Sequence, residues 1–142
     1  SIAISVDFRA VLPPVRDQGA RPTCLAHAAS AAHEHARGTS DTLSPEYLHH
    51  FASAGTKGAT IPNTATALRL QGQPLECKCP YQPDGPPADW TPPQAFTVFR
   101  RRSTAADATF DIVAALTNGK APVLGLSLPR PFYRPNSPWV IS

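Results

Sequence analysis

The chain has 142 residues, a hydrophobic content of 42% and a formal net charge of +3. This length supports one domain with a hydrophobic core, and the mild charge does not indicate a nucleic-acid partner. The basic run Arg100–Arg102 has no interleaved aromatic residues, so we interpret it as a solvated surface rather than as a nucleic-acid site. The sequence contains no run of about 18 apolar residues and therefore predicts no membrane span.

The three cysteines do not predict a disulfide framework. If Cys24 is free, only Cys77 and Cys79 can pair, and the single residue between them would strain the bridge. This C-x-C spacing also lacks the longer spacer of zinc sites, so we expect no metal and no cofactor. The cysteine usage favours a reducing compartment, and the localisation itself stays unknown.

The first part of the chain predicts an extended segment, a loop and a helix. Ile4–Arg9 alternates between apolar and polar residues, and the loop Ala10–Arg21 follows it. Cys24–Arg37 is rich in alanine and is followed by Gly38, which predicts a helix that begins at its cysteine. A second helix is predicted after Ser44, a favourable N-cap residue that is followed by proline.

The rest of the chain predicts two more helices and then a strand. We expect a third helix over residues 63–70, an irregular region over residues 72–95 and a fourth helix over residues 106–117. Pro122–Leu128 alternates leucine with glycine and serine, which predicts a strand. Because helices come first and strands only at the end, the sequence predicts an α+β fold whose β part is just beginning.

Cys24 lies at the junction of the loop and the first helix, and this position suits a nucleophile. A helix N-terminus favours the thiolate over the thiol and presents backbone N–H groups. The Cys24 N–H can stabilise an oxyanion formed on an attacked carbonyl, and the amide of Gln18 is a chemically suitable second donor. The spacing alone is equally consistent with a small buried residue at a helix cap, so both interpretations stay open.

The motifs around these residues resemble the papain family of cysteine peptidases. Mature chains of that family open with V-D-W-R and continue through P-V-K-N-Q-G to the catalytic cysteine. The corresponding segments here are VDFR at Val6–Arg9, PVRDQG at Pro14–Gly19 and then Cys24. The RDQG variant and the Thr–Cys pair are more similar to the bacterial branch than to the plant enzymes. Further similarities are LSPEYL at Leu43–Leu48, the segment from Gly58 through Ala67-Leu68 to Cys79-Pro80-Tyr81, and GKAPVLGLSL followed by Phe132-Tyr133.

The resemblance implies a papain-like fold for the whole chain. Residues 10–105 would form a mostly helical lobe, and residues 1–9 and 106–142 would belong to the beginning of a β-barrel-like lobe. The resemblance also implies that Cys24 is the nucleophile, that Gln18 is the oxyanion-hole donor, and that Gly58 and Ala59 lie near the substrate backbone. The implied activity is that of a thiol endopeptidase, a hydrolase that cleaves a protein or peptide through an acyl-enzyme.

Three residues depart from the pattern of the family. Arg21 stands where many relatives have a disulfide cysteine, Pro22 replaces a glycine that lines the cleft, and Leu25 replaces the usual tryptophan. Proline has no backbone N–H, so Pro22 cannot make the contact that a glycine N–H makes. Arg21 and Pro22 therefore predict a cleft that differs from that of papain and a narrow substrate specificity.

The catalytic histidine is not identified among the five histidines of the sequence. All five lie in the first two predicted helices, whereas the base of papain-like enzymes lies about 130–150 residues after the cysteine. His27 lies one turn after Cys24, but its position matches a buried aromatic residue of the family. We therefore expect an incomplete fold, in which a continuing or second chain supplies the histidine soon after Ser142. Because the chain starts at Ser1 without a methionine, we also expect an absent upstream part.

Two other functions remain open on the sequence. A degenerate papain-like domain would bind a protein or peptide without cleaving it, and Pro22 and Leu25 favour this function. A transferase, or an effector that acts on one host protein, would keep the chemistry and change the acceptor. The retained pair of Gln18 and Cys24 favours the peptidase.

Overall fold

The computed structural model describes residues 5–53, 58–106 and 108–126, and within these ranges the regular structure is helical. The α-helices of these ranges are α1 (Cys24–Arg37), α2 (Pro45–Ser53), α3 (Ile61–Leu70) and α4 (Thr109–Thr117). A single turn of 3₁₀-helix, Glu76–Lys78, follows α3. Among the described residues, no helix has the length and apolar character needed to cross a membrane.

Local sequence signals set the helix ends. The prediction for α1 is confirmed, and the helix ends at Gly38, whose φ of 67° gives a left-handed C-cap. Ser44 caps α2 as predicted, because its Oγ accepts a hydrogen bond from the Tyr47 N–H at 3.1 Å. The third helix begins earlier than predicted, because the hydroxyl of Thr60 accepts from the Asn63 N–H at 3.2 Å and supplies the N-cap.

Helices α1, α2 and α3 pack on one another around a small apolar core. The core consists of alanine and leucine side chains from these helices: Ala29, Leu48, Ala52, Ala67 and Leu68. Alanine allows the helix axes to approach closely, because it adds little bulk between them. Helix α4 differs, since none of its residues is buried.

A buried polar network links these helices to the segment that follows α3. The Nε2 of Gln73 donates to the Ser30 Oγ at 2.7 Å and to the Ser44 carbonyl at 2.8 Å. The Oε1 of Gln73 lies 2.9 Å from the Nδ1 of His33. Because a carboxamide oxygen only accepts hydrogen bonds, His33 carries its proton on Nδ1. The network therefore holds the segment after α3 against the first two helices.

The prediction of a papain-like α+β fold with the beginning of a β-barrel-like lobe is wrong. Within the described ranges, strand-like pairing is limited to two isolated bridges, between Leu43 and Leu75 and between Gln73 and Phe99, and no sheet is formed. A strand needs a neighbour that satisfies its N–H and C=O groups, and alternation in the sequence does not supply one. The regular structure of the described residues is helical instead.

The segment that the sequence predicts as a C-terminal strand is irregular where it is described. Residues 122–126 form no bridge, and Leu124 and Leu126 are 55% and 74% exposed. A Cβ at Gly125 would lie 3.2 Å from the Cδ1 of Ile61, so this segment passes close to the start of α3. Residues 127 and 128, the Phe132-Tyr133 motif and Ser142 lie outside the described residues.

The predicted N-terminal extended segment also forms no strand where it is described. Residue 4 lies outside the described ranges, and the chain turns at Phe8, whose carbonyl accepts from the N–H groups of Val11 and Leu12 at 2.9 Å each. The parts of residues 1–9 and 106–142 that the structure describes therefore contain α4 and no strand.

Candidate active site

Cys24 is the first residue of α1, and its thiol is exposed. The residue before it, Thr23, is the N-cap, but its side chain makes no capping hydrogen bond. The Thr23 Oγ1 instead lies 2.9 Å from the hydroxyl of Tyr81. The first turn of α1 contains no acidic residue. The N–H groups at this helix end are therefore without a side-chain cap beside an exposed sulfur.

Gln18 lies half-buried in the loop before α1. Its Nε2 donates to the Arg21 carbonyl at 2.7 Å, and that carbonyl also accepts the Thr23 N–H at 2.8 Å. The amide of Gln18 and the residue before Cys24 therefore share one acceptor, which brings both predicted catalytic residues to the same junction. A carboxamide nitrogen has two N–H groups, so one hydrogen bond to Arg21 leaves a second donor.

The hydroxyl of Tyr81 is hydrogen-bonded to both Gln18 and Thr23 at this junction. Its hydroxyl donates to the Gln18 carbonyl at 2.7 Å, and its N–H donates to the Glu76 Oε1 at 2.8 Å. Because the single hydroxyl proton of Tyr81 is used at Gln18, the hydrogen bond to Thr23 has the threonine hydroxyl as donor. The sequence places Tyr81 in the Cys79-Pro80-Tyr81 motif but predicts no role for it. Its partners lie about sixty residues away, so no local pattern could reveal them.

His27 does not form a catalytic pair with Cys24 in this structure. Its Nδ1 lies 3.0 Å from the Thr23 carbonyl, which fixes the proton on Nδ1. Its Nε2 is buried and has no hydrogen-bond partner among the described residues. The ring packs edge-on against Tyr81, with the two centroids 4.7 Å apart. Within the described part of the chain, the Cys24 thiol has no hydrogen bond to a histidine.

None of the other four histidines makes a hydrogen bond to the Cys24 thiol among the described residues. Burial lowers the pKa of His33, which is bonded to Gln73, and burial also lowers the pKa of His49. The Nε2 of His35 lies 2.9 Å from the Gly119 carbonyl, and the ring of His50 packs against Phe51 and Trp90. None of them is placed as the base of a thiol nucleophile.

The remaining cysteines have different surroundings from Cys24. Burial raises the pKa of the Cys79 thiol, whereas Cys77 is exposed. The structure pairs none of the three cysteines in a disulfide. Among the described residues, no group of three or more His, Cys, Asp or Glu side chains is arranged to hold a metal ion.

Gly58 and Ala59, the predicted substrate-binding residues, precede α3. Ala59 is partly buried and packs against the core of the first three helices. A Cβ at Gly58 would meet nothing within 4 Å, so there is open space on the side where a side chain would lie. Their contact with a substrate stays a prediction.

A cavity of about 260 Å³ lies between the proline-rich loop and α1. It is lined by loop residues 12–16 and by His27, Ser30, Ala31 and Glu34 of the helix. Neither Cys24 nor Gln18 lines it. The Glu34 carboxylate accepts the Leu43 N–H at 2.9 Å, and burial raises its pKa. The cavity is therefore distinct from the junction that bears the exposed thiol.

Two comparisons with known proteins found no match for this chain. No protein-family model matches the chain, and no curated protein matches its sequence.

Proposed function

We propose that this chain provides the nucleophile and both oxyanion donors of a thiol peptidase that resembles the papain family. The observation that supports this proposal is the exposed Cys24 thiol at the first residue of α1, a helix without a side-chain cap. The hydroxyl that would otherwise cap this helix is bonded to Tyr81. The free N–H groups and the helix dipole both favour negative charge at this position, first on the sulfur and then on an oxyanion.

The proposed reaction is acyl transfer through a thioester. The Cys24 thiolate attacks the carbonyl carbon of a peptide bond, so that a C–S bond forms and the carbonyl oxygen becomes an oxyanion. The Cys24 N–H and the second N–H of the Gln18 amide donate to that oxyanion. The C–N bond then breaks, the leaving amine takes a proton, and water hydrolyses the thioester to regenerate the thiol.

The proton donor for the leaving amine is proposed to be a histidine outside these 142 residues. No histidine is bonded to the Cys24 thiol among the described residues, and the nearest in sequence, His27, has its Nδ1 bonded to a backbone carbonyl. A histidine that reaches the exposed Cys24 sulfur from another segment would complete the thiolate–imidazolium pair. The substrate class is a protein or peptide.

A second candidate function is binding of a protein or peptide without cleavage. Pro22 is exposed immediately before the cap residue of α1, and it has no N–H to offer a substrate. No histidine is bonded to the thiol among the described residues. These two observations favour a domain that binds a protein or peptide and has lost the reaction.

Cleavage of a peptide panel by the complete protein and by matched variants tests the two functions. Cys24→Ala should abolish cleavage, and Gln18→Ala should lower the rate about 10²–10³-fold, since one oxyanion donor is lost. Cys77→Ala is the control, because it removes an exposed thiol outside the site. Full activity of Cys24→Ala would refute the peptidase. Peptide binding without cleavage by the wild-type protein would support the second function.

Alkylation provides a test that needs no substrate. Iodoacetamide should label Cys24 faster than Cys77 at pH 6, and mass spectrometry after digestion measures both rates. Cys24 and Cys77 are both exposed, so neither is shielded from the reagent by burial. Equal rates would remove the claim that the helix end activates Cys24.

A further inference from the structure

Arg21 connects the loop before Cys24 to α2. Its Nη1 donates to the Glu46 Oε1 at 2.6 Å, and its Nη2 donates to the Oε2 of the same carboxylate at 3.0 Å. Nη1 also donates to the Gln82 carbonyl at 2.7 Å, and the Gln82 N–H donates to the Glu46 Oε1 at 2.9 Å. Two parallel N–H···O bonds fix the orientation of a guanidinium as well as its distance.

The ion pair is shielded from water. The Glu46 side chain is 1% exposed and the Arg21 side chain 15% exposed. An exposed pair contributes little, whereas loss of the partner of a buried carboxylate leaves an uncompensated charge. The guanidinium also lies 5.0 Å from the centre of the Tyr81 ring. These contacts hold the Arg21 side chain in one position.

The backbone of the same residue holds the candidate oxyanion donor. The Arg21 carbonyl accepts from the Gln18 Nε2 at 2.7 Å and from the Thr23 N–H at 2.8 Å. A shift of the Arg21 carbonyl would therefore displace the Gln18 amide, whereas Thr23 is also held by the hydrogen bond from its hydroxyl to Tyr81. No other residue links α2 to the Gln18 amide through its own carbonyl among the described hydrogen bonds.

We propose that Arg21 is a positioning residue that acts through Gln18. Its two-pronged ion pair with Glu46 fixes the carbonyl to which the Gln18 amide is bonded, and so orients that amide. The catalytic consequence rests on the proposed function, whereas the placement of Gln18 is measurable without any activity. The ion pair between Arg21 and Glu46 thus joins the loop before Cys24 to α2 without a disulfide, so this link does not require an oxidising compartment.

The direct test follows the Gln18 side-chain amide by ¹⁵N NMR in Arg21→Lys. Lysine keeps a positive charge opposite Glu46 but cannot make two parallel bonds to a carboxylate. We expect the heteronuclear NOE of the Gln18 Nε2 to fall to the value of a freely rotating side chain. Arg9→Lys is the control, because Arg9 makes a similar pair with Asp7 but is 81% exposed and lies outside the site. An unchanged Gln18 signal in Arg21→Lys would overturn the proposal.

A second variant covers the outcome that Arg21→Lys does not fold. The double substitution Arg21→Gln with Glu46→Gln removes both charges together and leaves no unpaired buried carboxylate. It should show the same loss of order at Gln18 with a folded spectrum elsewhere. A rigid Gln18 amide in this variant would also overturn the proposal.

The catalytic consequence is tested by a double-mutant cycle on a peptide that the wild-type protein cleaves. Arg21→Lys should lower kcat about tenfold to a hundredfold, because a small displacement of a transition-state donor is costly. The same substitution in a Gln18→Ala background should have no further effect, whereas a merely structural role would reduce kcat in both backgrounds. Alkylation of Cys24 by iodoacetamide forms no oxyanion, so its rate should be unchanged in Arg21→Lys.

The possible failures are distinguishable. If no cleavage depends on Cys24, the proposed function fails, and the NMR result still decides whether Arg21 places Gln18. If cleavage depends on Cys24 but Arg21→Lys is equally harmful with and without Gln18, the positioning role is refuted and the proposed function stands.

Discussion

The three packed helices and the segment that contains α4 bury their side chains very differently. Leu48 of α2 is fully buried, and polar residues such as Gln73 and Glu46 are buried with hydrogen-bond partners. In α4, by contrast, none of the residues is buried, and Phe110 and Val113 are 79% and 55% exposed. The sequence of α4 is nevertheless more apolar than the sequences of α1, α2 and α3.

This difference shows that helix formation and helix burial depend on different parts of the sequence. Caps and glycines determine where a helix starts and ends, and these signals act over a few residues. Burial of its apolar face requires a partner surface elsewhere in the chain. The first three helices pack against one another, while no apolar side chain of α4 is fully buried within the described residues.

The largest expected effect contrasts the two regions directly. Leu48→Ala should lower the free energy of unfolding by about 2–5 kcal/mol, because it opens a cavity in the core of the helices. Phe110→Ala is the matched control and should change it by no more than about 0.5 kcal/mol, since the side chain is already exposed. Urea denaturation followed by circular dichroism measures both. A large effect of Phe110→Ala would show that α4 packs against a partner.

The next effect separates backbone strain from steric contact at two glycines. Gly72 has a φ of 73°, and a Cβ there would lie 2.5 Å from the Phe99 carbonyl oxygen. Gly38 has a φ of 67°, and a Cβ there would meet nothing within 4 Å. Both alanine variants should lose about 1–2 kcal/mol from the left-handed backbone. Gly72→Ala should lose more, because the bridge to Phe99 must also open. Equal losses would contradict the close approach.

Acidification should lower the free energy of unfolding, because two histidines are buried in the fold. Burial lowers the pKa of His33 and His49, and the His33 Nε2 and the His49 Nδ1 have no hydrogen-bond partner among the described residues. Above the ordinary pKa of 6.5 both rings are neutral in the folded and the unfolded chain. Below it the unfolded chain binds protons that the folded chain does not. The free energy of unfolding should therefore fall by up to about 1.4 kcal/mol per pH unit and histidine.

The variant His33→Asn isolates the contribution of His33 to the pH dependence of stability. Asparagine offers an N–H group in place of the His33 Nδ1 and does not titrate, so the fall in stability between pH 7.5 and 5.5 should be shallower in the variant. Burial raises the pKa of Glu34 above its ordinary 4.5, which gives the opposite sign, since its stabilising effect is present at low pH and is lost as the pH rises. Glu34 is unchanged in the variant, so its effect cancels in the comparison. Parallel pH profiles would refute the role of His33.

The parts of the fold that the sequence predicted are those that local chemistry determines. Gly38 and Ser44 correctly predicted the end of α1 and the start of α2, because a left-handed C-cap and a hydroxyl N-cap need only neighbouring residues. The prediction of a C-terminal strand was wrong because a strand depends on residues that are distant in the sequence. The alternation of Pro122–Leu128 favours an extended backbone, but a strand exists only when a distant segment pairs with it.

The candidate site shows the same division. Cys24 was predicted at a helix start from the alanine-rich pattern that follows it, and the structure places it there. Arg21 was noticed only as a departure from the family pattern, and its partner Glu46 lies 25 residues further along the chain. Pairings of this kind depend on how the helices pack, so composition and spacing could not reveal them.

The smallest expected effect on stability tests whether the apolar residues of α4 lack an intramolecular partner. Phe110→Ser with Val113→Ser should leave the free energy of unfolding within about 0.5 kcal/mol of the wild-type value, because both side chains are exposed. Neighbouring exposed apolar side chains promote association, so the double variant should scatter less light at high concentration and bind less of a hydrophobic dye. Thr109→Ser with Thr117→Ser is the control, since it changes the same helix and leaves its apolar side chains in place. A loss of more than about 1 kcal/mol in the first variant would mean that these side chains are buried in solution, and the contrast between α4 and the three packed helices would then be wrong.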